Sequence, residues 1–103
     1  MKTGRSINQF TIKGKTYSIR LTKHAELRLT QRKLDLYQAI GAILSLGKNR
    51  ITEYAGSNRD IMILDKVNNF AVVINIKYRT IIIVTVIDKA DCWVKKGTDV
   101  INL

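Results

Sequence analysis

The sequence predicts an α+β fold: an N-terminal β-hairpin, then two helices packed on a four- to six-stranded, mainly antiparallel sheet. Three observations predict it. The chain opens with residues that alternate apolar and polar, continues with helical spacing over 23–47, and ends in β-branched runs broken by short turns. At 103 residues, 46% of them hydrophobic, the chain suffices for one core and not two, so 1–103 reads as a single domain.

In chain order, Phe10-Thr11-Ile12-Lys13 alternates, Gly14-Lys15 turns, and Tyr17-Ser18-Ile19-Arg20-Leu21 resumes, which makes 9–21 a short hairpin. Thr22 stands as the N-cap of a helix over 23–33. Asp35 caps a second helix, with Gln38 placed to reach back as in a capping box. Leu36, Ile40, Ile43 and Leu44 share its apolar face, Tyr37 lies at the margin, and Gly47 stops it. Beyond Gly47 the period falls to two, and strands are expected at 50–54 and 61–64. Turns at Gly56-Ser57-Asn58 and Lys66-Val67-Asn68-Asn69 follow them. The runs 70–76 and 80–87 are apolar on both faces and belong mid-sheet. The short Lys77-Tyr78-Arg79 link forces them antiparallel, giving four antiparallel strands after the helices. In the tail, Cys92-Trp93-Val94 docks on the core and Lys95-Lys96-Gly97-Thr98 forms an exposed basic turn.

Eighteen Lys and Arg against eight Asp and Glu give a net charge of +10. That balance favours a polyanionic partner, nucleic acid or an anionic membrane surface. No apolar run approaches the roughly 18 residues of a spanning helix, and no signal-peptide pattern opens the chain. A lone Cys92 forms no internal disulfide, so a cytoplasmic location is expected. One His, one Cys and scattered carboxylates offer no metal site, and no cofactor is expected. Asp60 and Asp65 fall on opposite faces of a strand and make no acid–base pair. Gly14-Lys15-Thr16 lacks the upstream glycine and following helix of a phosphate-binding loop.

The chemistry concentrates in the first helix. His24, Arg28 and Arg32 recur every fourth residue, which stacks an imidazole and two guanidiniums within roughly 80° of helix arc. Like charges at that spacing repel by a few tenths of a kcal/mol, and a bound phosphodiester removes the repulsion. Neutral imidazole takes a proton from a ribose 2′-hydroxyl, and Arg28 and Arg32 stabilise charge on the phosphorane. RNA supplies its own nucleophile, so this cleavage calls for no metal. Tyr78 and Arg79 offer a stacking platform and a phosphate contact. Thr98 offers a hydroxyl, and Lys23, Lys95 and Lys96 offer further phosphate contacts. The alternative is a non-catalytic basic module that grips nucleic acid or blocks a host protein and does not depend on His24.

The run 19–32, with His24-Ala25, Arg28 and Arg32 in place, resembles the His-Ala-x-x-Arg-x-x-x-Arg opening helix of small bacterial and phage toxin-like domains. These are the BrnT-type toxins and a related family at the ends of polymorphic toxins. Both are similar to the larger RelE/ParE-like group, sometimes joined with barnase, EndoU and colicin nucleases. The resemblance implies a metal-independent ribonuclease toxin acting on mRNA or tRNA. By position it implies His24, Arg28 and Arg32 as site residues, completed by sheet-borne residues that vary among such families, for which Tyr78, Arg79 and Thr98 are the candidates here. It further implies an acidic antitoxin or immunity protein that neutralises the toxin.

Overall fold

The structure, a computed structural model, describes residues 3–31, 35–55, 57, 59–89, 94 and 97–103, the side chains of 3–7 excepted. Its elements are β1 (Thr3–Ile12), β2 (Lys15–Thr22), α1 (Lys23–Gln31), α2 (Leu36–Leu44), α3 (Gly47–Tyr54), β3 (Asp60–Asp65), β4 (Phe70–Lys77), β5 (Thr80–Ile87) and β6 (Asp99–Asn102). The strands form one six-stranded sheet of order β1-β2-β5-β4-β3-β6. The class is α+β with an N-terminal hairpin, as the sequence predicts.

β4 and β5 are central because Ile and Val bury them on both faces, down to Asn75 and Ile82 on the face away from the core cluster. The expected antiparallel hairpins form at β1–β2, β3–β4 and β4–β5. The sheet is nonetheless mixed, because β2 pairs parallel with β5 and β3 parallel with β6. Short turns dictate pairing only between consecutive strands. Which hairpin lies beside which is decided by core packing over long sequence separations.

Two further expectations are corrected. Residues 50–54 form the second half of a third helix, α3, and not a strand. Ile51, Tyr54 and Ala55 recur at helical spacing and pack on the core, while Thr52 Oγ1 donates to the Lys48 and Asn49 carbonyls. Five residues cannot distinguish a period of two from one of 3.6 when only one apolar position is decisive. α2 ends at Leu44, before Gly47 as expected, but from Gly47, at φ +81°, the chain runs into α3 and not into a strand. Asp99–Asn102, unread as a strand in the tail, adds β6 as an edge beside β3.

In α2, Asp35 caps as expected, but its carboxylate accepts from the Tyr37 amide and not that of Gln38. The buried face is Ala39, Ile40, Ala42 and Ile43, and Leu44 is left 45% exposed. The core cluster joins these to Ala25 and Leu29 of α1, Ile51 of α3, and one face of the sheet. A bulge adjusts that face: Val73 opposes Thr85 and Ile74 opposes Ile83, so Val84 has no partner across β4. The extra residue shifts the inward positions of β5 from Ile81 and Ile83 to Val86, and all three join the core.

Candidate nucleic-acid interface

α1 leaves β2 without a linker, and Thr22 fixes the departure. Thr22 Oγ1 accepts from the Ala25 amide at 3.0 Å, capping the helix, and donates to the Val84 carbonyl at 2.9 Å. Val84 is the bulge residue of β5, so one buried hydroxyl ties the helix start to the centre of the sheet. Ala25 and Leu29 then face the core, which leaves His24 exposed and Arg28 half-buried at the surface. Arg28 Nε donates to His24 Nε2 across 3.5 Å, the outer limit of a hydrogen bond. Lys23 is exposed beside them. Arg32, the third member of the expected stripe, lies outside the described residues, as do Lys95, Lys96, Cys92 and Trp93.

A second cationic feature lies where two hairpin turns meet. Ser18 N donates to the Arg79 carbonyl at 2.9 Å and Ser18 is level with Thr80, so the two turns lie at the same end of neighbouring strands, the β1–β2 turn reaching further out than the β4–β5 turn. Between them opens a cleft of about 640 Å³. Lys13, Lys15 and Arg79 line it together with Tyr78, above a floor that includes Ile12 and Tyr17. Tyr17 is buried and stacks on Phe10, with ring centroids 5.8 Å apart. Thr52 and Ala55 of α3 form the remaining wall. None of the three cations is held in an ion pair among the described residues.

Tyr78 and Arg79 thus lie together, but the company they keep is the β1–β2 turn; His24 and Arg28 are not among the cleft's lining residues. The Thr22 cap is four residues further along β2 than Ser18, about 13 Å. Thr98 is half-buried after Gly97, at the start of the β6 edge. Four strand spacings, about 19 Å, separate that edge from β2. There Arg59 pairs with Asp99 at 2.9 Å, and burial, then the Asp99 carboxylate, pushes the Tyr54 phenol up. Asp60 and Asp65 part as expected: Asp60 accepts from Asn75 Nδ2, whereas Asp65 accepts from the side chain and the amide of Asn68. Those bonds, the Asn68 side chain first, hold the Asp65 carboxyl below its usual range. Among the described residues no three His, Cys, Asp or Glu side chains gather, and no helix is long and apolar enough to cross a membrane.

The sequence pattern does not single out Lys13, and it offers Lys15 only within a Gly-Lys-Thr run that lacks the rest of a phosphate-binding loop. Their signal was present: a Lys-Gly hairpin turn puts a cation where Asn or Asp folds more easily. Compared with known proteins, the chain matches no family model, no curated protein and no solved structure.

Proposed function

We propose that this protein is a ribonuclease of the metal-independent kind, with His24 and Arg28 as the reacting pair. The observation that carries the reading is their contact on the exposed face of α1, in a chain of net charge +10. A bound phosphodiester replaces His24 as the acceptor for Arg28, since an anionic oxygen is the stronger partner for guanidinium. Nε2 is thereby freed to take the 2′-hydroxyl proton. The 2′-oxygen then bonds to phosphorus, the 5′-oxygen departs and is protonated by water, and a 2′,3′-cyclic phosphate remains. Arg28, joined by Arg32 four residues on in the sequence, stabilises the extra negative charge of the phosphorane.

The likeness of the α1 motif to BrnT- and RelE-like toxins supports this reading, and the α+β order of hairpin, helices and sheet is compatible with it. On the same reading, an acidic antitoxin or immunity protein covers the α1 stripe and excludes RNA. Incubation of the purified protein with total tRNA and mRNA in EDTA tests the activity. Cleavage to cyclic-phosphate ends is expected, and intact RNA at high protein concentration, or cleavage only with added Mg²⁺, overturns it. The second reading, a binding module without chemistry, is favoured by the cationic cleft, which does not involve His24. His24→Gln separates the two: it abolishes cleavage by a nuclease and leaves a pure binder's affinity unchanged.

A further inference from the structure

Two residues in the cleft hold backbone conformations that their side chains resist. Lys13 has φ +51° and Tyr78 has φ +56°, both in the left-handed region, which side chains other than Gly, Asn and Asp seldom enter. Lys13 is followed by Gly14 at φ +78°, so this two-residue turn has positive φ at both positions, the geometry for which Asn-Gly is preferred. A folding-optimal sequence puts Asn at 13 and Gly or Asn at 78. This one puts a cation and an aromatic ring there, on two neighbouring turns that face one cleft. Strain concentrated in this way is a mark of binding sites.

The cleft's chemistry narrows the ligand. Lys13, Lys15 and Arg79 contribute three positive charges, and no carboxylate is among its described lining residues. The C-terminal end of α3, at Ala55, opposes them with only roughly half a negative charge. Tyr78 is 84% exposed, so one ring face is free to stack. Cations around a cleft with an exposed aromatic at its mouth match the phosphates and unpaired bases of a single strand, whereas duplex bases are already stacked on one another.

We propose that the cleft between the β1–β2 and β4–β5 turns holds single-stranded RNA, with phosphates on Lys13, Lys15 and Arg79 and a base stacked on Tyr78. The assignment rests on the RNA reading above but is independent of cleavage at α1. It also predicts opposite signs for stability and binding. Tyr78→Gly and Lys13→Asn relax the turns, so melting temperature stays level or rises while affinity falls.

The test uses the full chain in EDTA with a fluorescein-labelled, short 2′-O-methyl oligouridine, which lacks the nucleophilic hydroxyl. A self-complementary 2′-O-methyl hairpin provides the duplex arm. Tyr78→Gly is expected to weaken single-strand binding about 10-fold. The double change Lys15→Gln, Arg79→Gln is expected to flatten the salt dependence by about 0.7 for each phosphate no longer neutralised. Unchanged affinity and salt slope in these variants, or tighter binding of the duplex, overturns the cleft assignment and leaves cleavage at α1 standing. Failure of the wild type to bind either probe overturns the cleft assignment, and together with intact RNA in the EDTA assay it overturns both. Cleft-dependent binding without cleavage of ordinary RNA upholds the cleft and removes the nuclease.

Discussion

At the scale of the residue, the proposed function rests on one contact, between Arg28 Nε and His24 Nε2 at the start of α1. On that proposal, a phosphate that draws the guanidinium away frees Nε2, which couples phosphate binding to the release of the base. Elsewhere a single carboxylate contributes pH dependence to stability. Asp65 is held below its usual range by Asn68, so its folded value lies under the unfolded one. Its contribution is therefore complete above about pH 4 and is lost as the pH falls through the folded value. Denaturation of wild type and Asp65→Asn across pH 2–6 is expected to show the wild type more stable at the upper end and the gap closing at the lower. A gap independent of pH would assign Asp65 a role without charge.

At the scale of the element, Thr22 and the β5 bulge determine where α1 begins. Thr22→Val keeps the shape but removes both the cap and the bond to Val84, a loss of about 2 kcal/mol. The urea midpoint is expected to fall with the slope unchanged, and Thr22→Ser to recover most of it. RNA cleavage by Thr22→Val should fall even under conditions where it stays folded, since His24 and Arg28 are carried by that cap. This element was legible beforehand, because a Thr before a helical run has a local meaning. So were β4 and β5, whose continuous apolar runs leave no other home than a sheet centre. The bulge at Val84, the parallel β2–β5 pairing and the meeting of two turns were not. Each depends on residues far apart in sequence, with no local pattern that encodes it. α3 was misread for the opposite reason, since the local pattern was too short to decide.

At the scale of the whole molecule, a +10 chain carries two cationic features at opposite ends of β2, one with an exposed imidazole and one with an exposed aromatic ring. On the proposed reading, net charge draws RNA to the surface and the two features divide the work, holding at the turns and reaction at α1. Single-turnover cleavage of RNA in EDTA, measured beside binding across a salt series for wild type, Arg28→Ala and His24→Ala, tests this most directly. Arg28→Ala should lower the salt slope by about 0.7 and slow cleavage by more than it weakens binding. His24→Ala should leave the salt slope unchanged and slow cleavage of bound RNA by roughly 100- to 10,000-fold. Loss of affinity in His24→Ala as steep as in Arg28→Ala, with bound RNA still cleaved at the wild-type rate, would contradict the account and make His24 a cationic contact only.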